Sequence, residues 1–354
     1  MRSINKLLVI AGLLLGLSHL IQAQPYSLTN LQYLPGDQTV QTSVLIQKNA
    51  RIAAGGPGYL VVWQDERTDI SGWILSPTMP LQGNMRDVYA ARLDANGNLL
   101  DQSPIVISNA AVNQTQAEVA WNGQNWLVVW VTERAEWYFY QDIVAVRVSP
   151  QGVVLDNTPI PIRLENPNLT NDRGNTPSVT SDGTNSVVIW QDVNQQGPQP
   201  LPTLVAVRIS PTGVILDNPP IVLYTSPDPT SGPSGPQMRL AGNEFLMIWF
   251  QNWVGIVGQR FNLNLQPIEA NPFTIAGSAG FNPRLASNGV DFFMVTSWML
   301  GFRITHNGAV LDPDGISFGF GGQTDRGPDV IWDGSNWVAG FSGVNSFTWK
   351  AFLT

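Results

Sequence analysis

The chain has 354 residues, of which 12% are charged, 43% are hydrophobic and 13 are Trp, with a formal charge of −8. So aromatic-rich and charge-poor a composition excludes disorder, and the acidic balance argues against a nucleic-acid partner, which needs a basic surface. The absence of Cys excludes disulfides, thiolate metal sites and a Cys nucleophile.

At the N-terminus, Arg2 and Lys6 precede an apolar run from Leu7 to Leu17, and Ile21-Gln22-Ala23 offers tolerated residues for a signal peptidase. Residues 1–23 read as a cleaved secretory signal and 24–354 as one exported domain. Without Arg2 and Lys6 the charge falls from −8 to −10. No later stretch reaches the ~18 apolar residues of a membrane-spanning helix, so no transmembrane segment is expected in the mature chain. Export without cysteines suits a bacterial setting: periplasm, cell surface or extracellular space.

Internal repeats follow. Glu118-Val-Ala-Trp-Asn-Gly-Gln-Asn-Trp-Leu-Val-Val-Trp130 aligns without a gap on Asp329-Val-Ile-Trp-Asp-Gly-Ser-Asn-Trp-Val-Ala-Gly-Phe341. The same register covers 51–63, 178–190, 237–249 and 284–296. All six copies carry a Gly at one position: Gly56, Gly123, Gly183, Gly242, Gly289 and Gly334. Such a Gly marks a tight turn with φ > 0 between two strands. The run after it is apolar on both faces, as in Leu127-Val-Val-Trp130, and so reads as a strand covered on both sides.

A second hairpin follows the first. Tyr89 to Asp101 recurs as Val144 to Asp156, Val205 to Asp217, Val257 to Glu269 and Leu300 to Asp312. A base at Arg92, Arg147, Arg208, Arg260 or Arg303 precedes an acid by nine residues, predicting five ion pairs across a two-residue turn. Four strands per repeat and six registers give the expected fold: an all-β, six-bladed β-propeller of four-stranded antiparallel blades. The blades are expected near 51–108, 117–164, 177–224, 237–276, 283–320 and 328–354. The last lacks a strand, which 37–46 would supply to close the ring, setting Asp37 opposite Lys350.

The repeat resembles the W-N-G-x-x-W-L-V-V-W plus D-I-Y-A-x-R-V-x-x-x-G-x-x-L-D pattern of secreted bacterial β-propeller proteins. That resemblance implies a propeller and an envelope or extracellular location, and no particular activity. The recurring Trp-Asp and the Gly-His landmarks of WD40 repeats are missing. Ser181-Asp182-Gly183 and Asp333-Gly334-Ser335 resemble a sialidase Asp box only superficially.

Loops between strands 1 and 2, and between 3 and 4, are uniformly tight, so their face reads as plain scaffold. On the opposite face, the distances from the end of strand 2 to the repeated base are 29, 17, 18, 11, 7 and 9 residues. Long loops on one rigid rim are where binding is usually placed, and they carry a candidate aromatic patch of Trp73, Trp137, Tyr138 and Tyr140. The same aromatics could equally be local mini-cores.

A second candidate is the channel mouth. Arg51, Glu118, Ser178, Gln237, Arg284 and Asp329 occupy the position expected to open each innermost strand, and of these Arg51, Glu118, Arg284 and Asp329 are charged. Asp65, Glu66, Glu133 and Asp192, at the ends of second strands, could supply paired carboxylates for glycoside hydrolysis. Metal chemistry is poorly supported: His19 lies in the signal and His306 in a turn, and Asp94-Ala-Asn96-Gly97 and Asp312-Pro-Asp314-Gly315 read as turns as readily as calcium loops. No cofactor is expected.

Together these features favour a non-enzymatic binding or assembly protein that presents its long-loop face to a protein partner or a glycan. The alternative is a carbohydrate-active enzyme, a glycoside hydrolase or lyase using rim or channel carboxylates. A purely structural subunit is a third reading.

Overall fold

The runs flanking each register glycine are rich in Val, Ile, Trp and Phe, side chains that suit a pleated, packed surface. In the computed structural model they are strands. The structure describes residues 24–25, 47–66, 86–110, 112–133, 141–165, 173–193, 201–318, 326–343 and 346–353. A short β1 (Gln24–Pro25) comes first. The first meander is β2 (Gln47–Gly55), β3 (Gly58–Asp65), β4 (Asp87–Asp94) and β5 (Ile105–Ser108). The second is β6 (Asn113–Trp121), β7 (Trp126–Glu133), β8 (Gln141–Val148) and β9 (Ile160–Arg163). Next come β10 (Arg173–Ser181), β11 (Ser186–Val193), β12 (Thr203–Ile209) and β13 (Ile221–Thr225), then β14 (Pro233–Ala241), β15 (Glu244–Gln251), β16 (Gly255–Asn262) and β17 (Phe273–Ala276). The chain continues with β18 (Arg284–Ser287), β19 (Phe292–Val295), β20 (Leu300–Ile304) and β21 (Ile316–Ser317), and finishes with β22 (Arg326–Trp332), β23 (Asn336–Gly343) and β24 (Ser346–Leu353).

Each meander pairs its strands antiparallel in chain order, the pattern of a propeller blade. Among the described residues these meanders form five hydrogen-bonded sheets, not six separate ones. The second and third share one eight-stranded sheet through a single parallel pairing, Arg173 with Gln141. The expected closing strand, 37–46, lies outside the described residues. The edge of β24 carries β1, with Gln24 opposite Ala351 and Pro25 opposite Lys350, and the expected Asp37–Lys350 pairing lies outside the described residues. Residues 1–23 also lie outside the described residues. No helix among the described residues is long and apolar enough to cross a membrane.

The apolar second strands are covered on both faces because the cores lie between meanders. In β7, Trp126, Val128 and Trp130 pack with the first meander, while Leu127, Val129 and Val131 pack with the third. The alternation repeats in β11 and β15. Each sheet is thus one layer of a stack that closes around an axis, which brings the innermost strands β2, β6, β10, β14, β18 and β22 to the centre.

All six register glycines have positive φ, from 56° to 100°. The second hairpin differs from the two-residue turn expected. Asp94 N–H donates to the Asn98 carbonyl and Gly97 N–H to the Asp94 carbonyl, so the loop has three residues and ends in a left-handed Gly97 with φ of 82°. This register moves Asp101 off the position opposite Arg92. Its carboxylate instead accepts the Arg92 backbone N–H at 2.6 Å and also binds the guanidinium. All five predicted pairs form in this way.

These arginines do more than pair within a blade. Arg92 Nη1 donates to the Pro150 carbonyl at 3.0 Å, Arg147 Nη1 to Pro211 at 2.9 Å and Arg260 Nη1 to His306 at 3.2 Å. Each bond reaches the turn of the following meander. The turn glycine there lies on the guanidinium: a Cβ on Gly152 would stand 2.7 Å from Arg92 Nε, whereas one on Gly97 would meet nothing within 4 Å. Gly97 and Gly152 share a φ of 82°. Gly97→Ala is therefore expected to cost the left-handed penalty alone, about 1 kcal/mol. Gly152→Ala should cost at least about twice that, because Arg92 cannot yield without breaking its bonds to Asp101. Equal shifts in denaturant midpoint would refute the packing role.

Candidate functional site

The inner strands do not begin at the charged ring. Only Arg284 opens its strand; Arg51, Glu118 and Asp329 lie inside β2, β6 and β22, a few residues after a register shift that marks a β-bulge. The bulge residue is left-handed in Asn49, Gln116, Thr176, Gly235 and the equivalent Asn282, with φ between 50° and 59°. Bulges re-aim side chains and cluster near sites. Asn, Gln, Thr and Gly share no side-chain pattern, so this bulge carries no signature in the sequence.

Past the bulges, the four charged residues predicted for the mouth come together. Arg51 Nε donates to Glu118 Oε1 at 2.9 Å and Arg284 Nη1 to the same oxygen at 3.1 Å. Arg51 Nη1 also stands 3.9 Å from Asp329 Oδ2. Ser178 and Gln237, at the same ring position, are buried, and Ser178 Oγ and Gln237 Oε1 have no hydrogen-bond partner among the described residues. A cavity of about 350 Å³ leads from this cluster, lined by residues of all six inner strands. It runs past Ala54, Trp121, Ser181, Leu240, Ser287 and Trp332, each a few residues short of a register glycine. The cavity therefore extends toward the tight-turn face, which the sequence had marked as plain scaffold.

Electrostatics within the cluster are uneven. Burial works to raise the Glu118 pKa, but the charges of Arg51 and Arg284 outweigh it and hold the carboxyl below its ordinary value. Burial opposes the charge of Arg51, which Glu118 and Asp329 more than restore. Arg284 and a further residue, Arg239, are pushed down, by burial first and with Arg51 as a repelling neighbour. Arg239 escaped the sequence reading because it stands two residues beyond the ring position, at Gln237 + 2. The available signal was the repeat itself, whose other copies have small or apolar residues there.

The rim carboxylates are structural joints. Asp65 and Glu66 are buried, Asp65 accepting the Trp63 indole N–H at 3.1 Å and Glu66 pairing with Arg86 at 3.2 Å. Glu133 accepts from Thr115 Oγ1, and Asp192 pairs with Arg163 at 3.4 Å. Trp73, Trp137, Tyr138 and Tyr140, the aromatic candidates, lie outside the described residues. Asp94 accepts backbone N–H groups of its own turn, and Asp312 is bound by Arg303. Among the described residues, no group of three or more His, Asp or Glu could hold a metal ion.

No protein-family model and no curated protein matches the sequence. Solved structures do match in fold. An α-L-arabinanase from Penicillium chrysogenum, complexed with arabinobiose, superposes with a TM-score of 0.60 at 12% identity, covering 87% of this chain and 93% of that one. An α-L-arabinofuranosidase from Fusarium graminearum, bound to an iminosugar inhibitor, gives 0.59 at 10% identity, with 86% and 92% covered. The Trypanosoma rangeli sialidase with sialic acid gives 0.55 at 10% identity, covering 87% of this chain and 54% of that one. At these identities the likeness is one of fold. The three structures named are glycosidases by name, which tells against the expectation of a non-enzymatic binding or assembly protein and leaves its carbohydrate-active alternative to be argued as a proposal.

Proposed function

We propose that the chain is an exported glycoside hydrolase that works with the channel carboxylates Glu118 and Asp329. We also count its blades as six, because one parallel pairing does not make the second and third meanders a single blade. The observation that carries the enzymatic reading is a buried, ionised Glu118 clamped by two guanidinia at the end of a cavity that every inner strand lines.

Glycosidases need two carboxyl groups of unequal proton affinity. Both guanidinia bind Glu118 through Oε1, and Oε2 takes no hydrogen bond among the described residues. That oxygen is open to an anomeric carbon or a water. Asp329 has the looser partner and a side chain 36% exposed against 9% for Glu118, so it is the carboxyl placed to meet the departing glycosidic oxygen. Carboxylates on either side of one guanidinium stand no more than about 9 Å apart, which does not exceed the upper limit of the roughly 5–9.5 Å used by retaining and inverting enzymes.

The purified protein should release reducing sugar from at least one of arabinan, arabino-oligosaccharides, sialosides or a panel of aryl glycosides. Silence across that panel would overturn the proposal. The acidic limb of kcat/KM reports the ionisation of Glu118 in the free enzyme. Because its pKa is depressed, activity should persist below pH 4.5, the ordinary glutamate value, and fall only at more acidic pH. Arg284→Met removes one source of the depression and should move that limb upward. A limb unmoved by this substitution would show that Glu118 is not the group titrating.

A further inference from the structure

The six inner strands present equivalent residues to the cavity two positions beyond the charged ring: Ala53, Ala120, Thr180, Arg239, Ala286 and Ile331. Five are small or apolar, as a narrow axial channel requires. A guanidinium in the sixth breaks a rule that the rest of the repeat keeps, and such breaks concentrate at functional positions. Arg239 is poorly compensated where it stands. Its hydrogen bond goes to the carbonyl of its own neighbour Met238 at 2.8 Å, and it forms no ion pair among the described residues. Close by, Arg284 spends Nη1 on Glu118 while its buried Nε has no partner among the described residues. Arg51, Arg239, Glu118 and Asp329 line the cavity, and Arg284 joins them through its bond to Glu118, so the charged cluster sets three guanidinia against two carboxylates in a chain whose formal charge is −8.

We propose that this excess binds the substrate's charge: the sugar seated in the cavity bears an anionic oxygen group, a carboxylate or a sulfate ester, held by Arg239. The proposal rests on the glycan reading above and names its substrate class. A guanidinium matches the two oxygens of such a group with parallel N–H donors. Burial already lowers the pKa of Arg239, so an anion arriving beside it relieves a charge held at a cost. Arg239 is here a specificity-determining residue, and Glu118 and Asp329 remain the catalytic pair.

Monosaccharides, which cannot be cleaved, test this by calorimetry on the wild-type chain: galacturonate, galactose 6-sulfate and galactose, with glucuronate and glucose as a second series. At least one acidic sugar should bind ten-fold or more tightly than its neutral counterpart, and whether the carboxylate or the sulfate does so identifies the anion. Arg239→Met should bring the acidic and neutral affinities within about two-fold, with the melting temperature unchanged or raised, since an unpaired charge leaves the interior. Arg239→Gln serves the same purpose with a polar side chain should the Met variant not fold. Equal binding of acidic and neutral sugars by the wild type, or an acidic preference that survives both substitutions, overturns the inference. Hydrolysis of neutral glycans without acidic preference would sink this inference and spare the hydrolase. Acidic-sugar binding without turnover on any glycan would do the reverse.

Discussion

Glu118→Asp is expected to lower kcat/KM by about a hundred-fold or more while leaving the protein folded and its melting temperature nearly unchanged. The shorter side chain keeps a negative charge for Arg51 and Arg284, which lie 2.9 and 3.1 Å from the native Oε1. It also withdraws the reacting oxygen by roughly one carbon–carbon bond, and misplacement by about 1 Å at a reacting centre commonly costs ~10²-fold. Glu118→Gln should be harsher, with a loss of about 10³-fold or more, because the charge that meets the developing cation is gone. That variant would also leave two buried guanidinia without their carboxylate, at a cost of about 3–5 kcal/mol in stability. The pair of substitutions therefore separates roles. A purely structural ion pair would make the Asp variant active and the Gln variant unstable. A catalytic carboxylate makes both inactive and only the Gln variant unstable. Full activity in Glu118→Asp would remove Glu118 from the mechanism.

The parts of this molecule that were legible in the sequence are those set by local chemistry repeated several times over. A glycine at one register of every copy, and a second strand apolar on both faces, announce hairpins stacked between two cores. Arg92 and Asp101 with their four counterparts announce the second hairpin. The sequence was less informative where one residue's position depends on its neighbours in space. A one-residue difference in loop type moved the acid from opposite its arginine to a place where it binds that arginine's backbone as well. Five bulges of unrelated residues lengthened the inner strands beyond the ring they were expected to open with. The charged quartet was found because all its members occupy one register. Arg239 was not found, because it is a singular departure at a position where the repeat is otherwise silent. The direction of the cavity could not be read at all, since tight turns say nothing about the width of the axis they surround.

The largest effect on stability should come from the Trp residues that close the second strands. Trp190 is fully buried against Leu127, Val129 and Ile143 of the second meander, so it belongs to the layer between two sheets more than to its own hairpin. Trp190→Ala should cost about 3–5 kcal/mol, the range for emptying a large aromatic site in a core that cannot collapse. The melting temperature should fall by about 6–20 °C at the ~2–4 °C per kcal/mol that suits larger chains. The indole N–H provides an internal control. Trp190 Nε1 is buried with no hydrogen-bond partner among the described residues, whereas Trp249 Nε1 donates to Gln251 Oε1 at 3.0 Å. Phe in place of Trp190 loses some volume and removes an unsatisfied donor, two changes that oppose one another. Phe in place of Trp249 loses similar volume and leaves the buried Gln251 without that donor, which should add about 1 kcal/mol or more. Urea denaturation of the two Phe variants measures the difference directly, and equal midpoints would show that packing alone sets the value of these indoles.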